Sequence, residues 1–483
     1  MPAAAERAGR WLLASACALI LVGAVAGAAQ ADGAFPDAEA ILTPPGLPGV
    51  IRLVTNFGLI ATEDGGATWL WSCEGPDNMF GAYYQIGLPP RHRLYALVDQ
   101  RVVFSDDGGC DWTKAGGSRA RVEGVGGVTD FWVDRTVADR VLAVDVCCDV
   151  EPRQPVVVAS HDGGARFDET LYRAPVGAQI TGVESAQSAP DTIYVTLLGP
   201  SPDGGRPPPV LARTEDGGAT WNTTDLTAAL GAGTPRLIAV DPTLPRTVFL
   251  LWSDVDGQSL VVTTDGGPNT RAILRPSGVI KAFLRLSGGL ILVATEDKSV
   301  AALFRSHDGG ASFEAVSGPP HIRALSERAG VVYAATDNFG DGYAAGVSMD
   351  QGSTWEPLVS YADVRGILPC VKAACQASCA VQVQLNLWAE SVCSADVPPP
   401  SGTGAGGAGG GLGAGAAGSG GSAAVGGTAG IGAAGGHGGR SAVSAASGCG
   451  CKTAPAPSGR NAAPGILAAL AFWWDRQRRA RRR

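Results

Sequence analysis

The chain has 483 residues, more than one average domain needs, so it predicts one large folded body together with processing and linker segments. Its 69 glycines and 32 prolines favour turn-rich β-structure and low-complexity sequence. The formal net charge is −8 and no basic stripe lies within the body. Because phosphate binding needs concentrated positive charge, nucleic acid is excluded as an expected partner.

The first 31 residues have the three-part pattern of a secretory signal peptide. Arg7 and Arg10 precede an apolar run over residues 11–28, and the small residues at 29–31 offer a cleavage site before Asp32. The pattern predicts export, and an oxidising destination permits disulfides.

A short pattern recurs seven times between residues 62 and 355. Each copy has Ser or Thr, then Asp two residues later, then Gly two residues further, and most copies end in Trp or Phe, as in residues 62–69. The seven aspartates are Asp64, Asp107, Asp162, Asp216, Asp265, Asp308 and Asp350. They follow one another at intervals of 42 to 55 residues, which is about the length of one four-stranded propeller blade. Each copy therefore predicts one blade.

The residue types in the repeat predict a tight turn. The carboxylate can accept backbone N–H groups while glycine adopts the positive φ that other residues resist. The Ser or Thr can close the same local network, and the aromatic residue can pack between neighbouring blades. Because one turn per blade disperses the aspartates around the rim, we interpret them as structural rather than catalytic or calcium-binding.

Two further predictions concern the ring. Residues 35–42 are expected to supply a strand to the final blade and so close the ring. Residues 69–73, which include Trp69, Trp71 and Cys73, are expected to pack inside a blade.

The repeat resembles the Asp-box, or BNR, repeat of sialidases, xyloglucanase-type glycosidases, sortilin-type receptors and photosystem-assembly propellers. The resemblance covers about residues 46–360. It implies an all-β fold, a seven-bladed β-propeller of four-stranded antiparallel blades. Since these relatives include hydrolases, receptors and assembly factors, the resemblance does not select a function.

Catalytic motifs are not recognisable. A sialidase-like site needs cationic side chains, a Tyr–Glu pair and an acidic donor in the central funnel. The family's first arginine usually stands in Arg-Ile-Pro, whereas Arg52 is followed by Leu and Val. No Gly-x-Ser-x-Gly elbow occurs in a suitable context, and the loop histidines His92 and His321 are interpreted as solvated side chains.

We therefore predict no catalytic residue, no cofactor and no metal site. The expected function is non-catalytic binding or scaffolding of a glycan or protein partner on one propeller face, by a monomer. The alternatives are a secreted glycoside hydrolase that uses two carboxylates in the funnel, and a membrane-complex assembly factor.

The mature body before the C-terminal anchor has eight cysteines, an even number that suits disulfides. The last four lie within 24 residues and are expected to form two bridges that staple a C-terminal extension, with the connectivity left open. They are Cys370, Cys375, Cys379 and Cys393. The adjacent Cys147 and Cys148 are compatible with a strained redox pair, with two separate bridges or with buried thiols.

Residues 398–448 are dominated by Gly, Ala, Ser and Thr, which cannot bury enough apolar surface to fold, so they predict a disordered linker. Beyond them, Cys449 and Cys451 precede an apolar run over 462–474 and an Arg-rich end. This order resembles MYXO-CTERM, the C-terminal sorting signal of myxobacterial surface proteins. The resemblance implies cleavage and lipid attachment at these cysteines and a membrane tether at the outer cell surface.

The apolar run of about 13 residues is shorter than the roughly 20 that cross a bilayer. The apolar segment is therefore compatible with stable spanning of the membrane and with transient insertion for processing. A secreted or periplasmic protein with a basic tail is a further alternative. The predicted organisation is a signal peptide (1–31), a propeller (32–365), a Cys-rich extension (366–397), a linker (398–448) and an anchor segment (449–483).

Overall fold

The computed structural model describes residues 35–74, 79, 81–116, 126–147, 154–201 and 204–397. The predicted signal peptide, the linker, the anchor segment with Cys449 and Cys451, Cys148 and the side chain of Cys147 lie outside the described part. Within that part, no helix combines the length and the apolar character that crossing a bilayer requires.

Seven antiparallel sheets form a β-propeller, which confirms the predicted fold class. Each blade consists of four consecutive strands that pair in chain order. The first strands of neighbouring blades pack against one another, so they line the central axis. The fourth strands lie at the periphery.

The strands of blades 1 and 2 are β1 (Ala38–Leu42), β2 (Ile51–Thr55), β3 (Gly58–Thr62), β4 (Trp69–Ser72), β5 (Tyr83–Ile86), β6 (Leu94–Val98), β7 (Arg101–Ser105) and β8 (Thr113–Lys114). Blades 3 and 4 contain β9 (Gly126–Val133), β10 (Val141–Cys147), β11 (Val156–Ser160), β12 (Glu169–Arg173), β13 (Gln179–Ala186), β14 (Ala189–Leu198), β15 (Pro209–Thr214) and β16 (Asn222–Asp225). Blades 5 to 7 contain β17 (Thr234–Val240), β18 (Val248–Asp254), β19 (Gly257–Thr263), β20 (Thr270–Leu274), β21 (Val279–Arg285), β22 (Ile291–Asp297), β23 (Val300–Ser306), β24 (Glu314–Val316), β25 (Ile322–Arg328), β26 (Val331–Thr336), β27 (Ala345–Ser348) and β28 (Glu356–Val359). A short helix, α1 (Thr227–Leu230), connects blades 4 and 5.

The middle strands explain the short apolar runs of the sequence. Strands β2 and β11 are buried along their whole length. Because each blade packs a neighbour on both of its faces, such strands are buried on both faces instead of alternating, and even Arg52 in β2 is buried.

The antiparallel order gives the propeller two distinct ends. The Asp–Gly turns join the third and fourth strands, so they lie at the same end as the loops between first and second strands. We call this end the box face. The loops between second and third strands and the connections from blade to blade lie at the other end, which we call the connection face.

Each of the seven turns contains the same hydrogen-bond network. The Ser or Thr hydroxyl donates to the Asp Oδ1 over 2.6–2.9 Å. The same Oδ1 accepts the N–H of the residue four positions later over 2.8–3.0 Å. Hydrogen bonds from Thr214 and Thr220 lower the pKa of Asp216 to about 2. In the last turn Gln351 replaces the first glycine and adopts φ 60°.

The aromatic residues after the turns pack between blades. Trp221 of blade 4 donates its indole N–H to the Leu171 carbonyl in blade 3 over 2.9 Å. Its ring lies 4.6 Å from Tyr172. The turns therefore hold hairpins together, and the following aromatic residues hold adjacent blades together.

The prediction that residues 35–42 complete the final blade is wrong. Strand β1 pairs with β2 in blade 1, and blade 7 is built from β25 to β28 alone. Side chains contribute to closing the ring between blades 7 and 1. The hydroxyls of Thr43 and Ser326 are 2.6 Å apart, and Arg328 donates to the carbonyls of Leu47, Pro48 and Val50 over 2.7–3.0 Å.

The C-terminal extension covers the outer edge of blade 1. Strand β29 (Val364–Ile367) pairs in parallel with β4, and two helices follow, α2 (Lys372–Gln384) and α3 (Ser391–Ser394). Short 3₁₀ turns lie at Tyr361–Asp363 and Pro369–Val371. Trp71 is buried, but in the fourth strand of its blade, where its ring lies 5.2 Å from Trp388 of the extension.

Three disulfides tie this extension down. They are Cys73–Cys375, Cys110–Cys370 and Cys379–Cys393. The expectation that the last four cysteines pair with one another is wrong, because two of them bridge to blades 1 and 2 across 302 and 260 residues. The Cα–Cα distances of 5.5–5.7 Å suit such bonds.

We expect the solvent-facing Cys110–Cys370 bond to stabilise the closed ring by restricting the unfolded chain. Replacing both cysteines by Ser should lower the free energy of unfolding by about 2–5 kcal/mol and leave the fold intact. Urea unfolding without reductant, with circular dichroism as the control for folding, measures this. A loss below about 0.5 kcal/mol, typical of ordinary surface changes, would contradict it.

Candidate functional site

Polar side chains on the first strands connect successive blades near the axis. Gln85 in β5 donates to a carbonyl of β9 over 2.7 Å and accepts an amide N–H of β9 over 2.9 Å. Asp130 in β9 accepts an amide N–H of β13 over 3.2 Å. Glu184 in β13 accepts an amide N–H of β17 over 2.9 Å. These contacts satisfy backbone N–H and C=O groups of the first strands that form no hydrogen bond with a neighbouring strand.

The two axial carboxyl groups have strongly shifted pKa values. Burial raises the pKa of Asp130 to about 6, although the positive charge of Arg236 opposes the change. Burial raises the pKa of Glu184 to about 8, and the charge of Asp130 adds to the effect against the opposing charge of Arg135. Glu184 is only 3% exposed. At neutral pH, Glu184 is therefore mostly protonated.

Other polar groups surround these carboxyls. The phenol of Tyr83 accepts a hydrogen bond from Gln85 over 3.2 Å, and burial raises its pKa to about 12. Arg135 donates to the Ile86 carbonyl over 3.0 Å. Arg236 stands exposed near the start of β17. Because first strands start at the connection face, Tyr83 and Arg236 lie at the mouth of the axis on that side.

A second charged cluster lies where blades 6, 7 and 1 meet. Arg323 at the start of β25 forms ion pairs with Asp37, 3.2 Å away, and with Glu296. Asp337 lies 3.8 Å from the same guanidinium. Burial raises the pKa of Asp37, and the Asp337 carboxylate adds to this effect while Arg323 opposes it. The guanidinium of Arg323 thus lies within ion-pair distance of three carboxylates.

The interpretation of His321 as a solvated loop side chain is wrong. Its Nδ1 lies 2.8 Å from the Asp341 carboxylate, and its Nε2 lies 3.1 Å from the Ser299 carbonyl. The hydrogen bond to Asp341 raises the pKa of His321. By contrast His92, in a box-face loop, is half-buried, and burial lowers its pKa.

Large apolar side chains that stay exposed are concentrated on the connection face. Six of the nine among the described residues lie there, namely Phe35, Val176, Val255, Val279, Val300 and Phe339. Leu244 and Met349 lie on the box face, and Leu385 belongs to the extension. Among the described residues, the connection face therefore carries more of the exposed large apolar side chains than the box face.

The seven predicted structural aspartates do not converge. They occupy one turn in each blade on the box face, and each carboxylate bonds within its own turn. Arg52 also lies away from the axis, because its guanidinium is buried against Glu63 at 2.9 Å and the Thr62 carbonyl at 3.1 Å. Among the described residues, no group of His, Cys, Asp or Glu is arranged to hold a metal ion.

Sequence reasoning missed the axial residues. Asp130 and Glu184 carried one usable signal, since each is the one ionisable residue of its strand. Such a residue is costly to bury without a partner. Its partner lies in the next blade, more than 50 residues away, and no local pattern reveals it.

The raised pKa of Glu184 predicts a distinct stability profile. Above about pH 4.5 the unfolded chain releases this proton while the folded chain keeps it, so stability falls as pH rises toward about 8. Glu184→Gln keeps an acceptor for the β17 amide and cannot ionise. The free energy of unfolding of this variant, measured with urea, should therefore increase relative to that of the unsubstituted chain as the pH rises from 4.5 to 8. Parallel profiles for the two chains would contradict this assignment.

Comparison with known proteins finds similarity among solved structures only. No protein-family model matches this sequence, and no curated protein matches it either. Solved structures with a similar fold include the GH74 xyloglucanase from Xanthomonas campestris, with a TM-score of 0.47 and 17% identity over 66% of this chain and 53% of that chain. YCF48 bound to a D1 peptide has a TM-score of 0.42 and 13% identity over 62% and 90%.

The S511A mutant of puromycin hydrolase complexed with PGG has a TM-score of 0.49 and 14% identity over 68% of this chain and 53% of that chain. This chain thus spans about half the length of the GH74 xyloglucanase and about half the length of the puromycin hydrolase. These neighbours include a glycoside hydrolase, a peptide-bound protein and a hydrolase of another substrate class. What they share with this chain is the β-propeller.

Proposed function

We propose that this chain is an exported, non-catalytic binding or scaffolding module that engages a protein or glycan partner through its connection face. The concentration of exposed apolar side chains on that face carries the proposal, because it includes the touching rings of Phe35 and Phe339, and exposed apolar groups that lie together commonly mark an interaction site. Val255, Val300 and Phe35, 81%, 67% and 63% exposed, are the most exposed residues on that face.

The axial carboxyls support binding over catalysis. A general acid or nucleophile must contact its substrate, yet Glu184 is buried and already bonded to the next blade. Asp130 also bonds to a neighbouring blade. Both groups therefore act within the fold.

A glycoside hydrolase is the second candidate. The pair of carboxyl groups of Asp130 and Glu184 favours this alternative. Glycosidases use one carboxylic acid whose pKa is raised and one ionised carboxylate. Both carboxyls belong to first strands next to the axis.

The binding proposal predicts an unequal crosslinking pattern. Benzoylphenylalanine placed at Val300 on the connection face should give a discrete photo-adduct in the producing cells. The same group at Met349 on the box face should not. The two positions are matched, since their side chains are 67% and 74% exposed. Gel mobility and mass spectrometry of the adduct measure the outcome.

Equal labelling at both positions, or none at either, would contradict the proposal. Hydrolysis of aryl-glycosides or sialosides by the full chain, abolished by Asp130→Asn, would replace it with the hydrolase alternative. The matched control for that assay is Asp168→Asn, because Asp168 is an exposed acid on the box face, away from the axis.

We further propose that the C-terminal segment tethers the protein to the outer cell surface. The order of Cys449 and Cys451, an apolar run and terminal arginines supports it. Mass spectrometry of the native protein should find a C-terminus at one of these cysteines with an attached lipid. An intact terminal Arg483 on protein released into the medium would contradict it.

A further inference from the structure

Two exposed phenylalanines lie in contact where blades 7 and 1 meet on the connection face, and we call the surface formed by Phe35, Phe339 and Tyr361 the aromatic junction. The rings of Phe35 and Phe339 are 4.7 Å apart and remain 63% and 46% exposed. Tyr361 lies beside them, with its ring 6.0 Å from Phe339 and 5.1 Å from Phe57.

The phenol of Tyr361 lacks a partner. The residue is 1% exposed, and its Oη makes no hydrogen bond to any described residue. A buried hydroxyl without a partner is unfavourable, so a hydrogen-bonding group that reaches it would be stabilised there. Burial raises the Tyr361 pKa, and the negative charges of Asp37, Asp337 and Glu39 raise it further.

The acids around the aromatic junction are accessible and only partly neutralised. The side chains of Asp37 and Asp337 are 38% and 29% exposed. Arg323 pairs with both of them and with Glu296. On the connection side of blades 6, 7 and 1, the described carboxylates include Asp37, Glu39, Glu296, Asp297, Asp337 and Asp341, against Lys281, Lys298, Arg323 and the His321 ring that pairs with Asp341. This surface attracts positive charge.

We propose that the aromatic junction and its acids bind a lysine or arginine side chain of the partner protein. Its N–H groups would donate to Asp37 and Asp337 and to the Tyr361 oxygen, and the flanking phenylalanine rings would pack against the cation. The Phe339 ring must swing aside, which its exposed loop position permits. The inference rests on the proposed binding function and specifies its partner as a basic protein segment.

The test uses the full chain and three fluorescent Gly–Ser nonapeptides. The two central residues are both Lys in the first peptide, both Gln in the second and both Glu in the third. Fluorescence anisotropy at low and high salt should show binding of the Lys peptide alone, weakened by salt. Asp37→Asn with Asp337→Asn should weaken it at least tenfold. Phe339→Ala should also weaken it.

Two further variants separate binding from folding. Tyr361→Phe removes only the unpartnered hydroxyl, so the melting temperature should stay the same or rise while affinity for the Lys peptide falls. The matched control, Asp168→Asn with Glu356→Gln, removes two exposed acids from the box side of the ring and should leave affinity unchanged.

Equal binding of the Lys and Gln peptides, or equal binding by the acid variant and its control, would overturn the inference. If no peptide binds but Val300 still crosslinks to a partner, the inference fails and the binding function stands. If crosslinking at Val300 is absent as well, both fail.

Discussion

Closure between blades 7 and 1 is the constraint on which this propeller depends. Neither blade lends one of its four strands to the other, so side chains, disulfides and the pairing of β29 with β4 hold the ring. One apolar cluster runs through blade 7, blade 1 and the extension, and the Cys73–Cys375 bond lies within it. Because the extension both lengthens the sheet of blade 1 and is bonded to blade 2 through Cys110–Cys370, it secures the first two blades on their outer side.

The axis shows how a ring of separate sheets satisfies its inner edges. First strands have one edge without a strand partner, and buried amide groups there need acceptors. Gln85, Asp130 and Glu184 supply them from the preceding blade. Burying two carboxyl groups is unfavourable in their ionised form, which explains their raised pKa values. Acidic residues at an axis are thus compatible with a connecting role.

The two faces of the propeller have separate tasks. Local hydrogen bonds satisfy the turns of the box face, and these turns keep hairpins paired. Among the described residues, the connection face has loops of more varied length, and it carries most of the exposed apolar side chains and the aromatic junction at Tyr361. Since the turns stabilise one end, the loops at the other end can vary without loss of the fold. This division supports binding at the connection face.

The sequence alone determined the blade number and the fold class. Each Asp–Gly turn is a network within a few consecutive residues, so its pattern survives in the linear chain, as Thr62 with Asp64 and Thr68 illustrates. Tertiary structure decided the ring closure, the disulfide pairing and the axial contacts. The partners there are far apart in sequence, such as Cys73 and Cys375 at 302 residues, and many arrangements fit one pattern of residue types. Only packing of complete blades selects among them, because burial and proximity are properties of the whole ring.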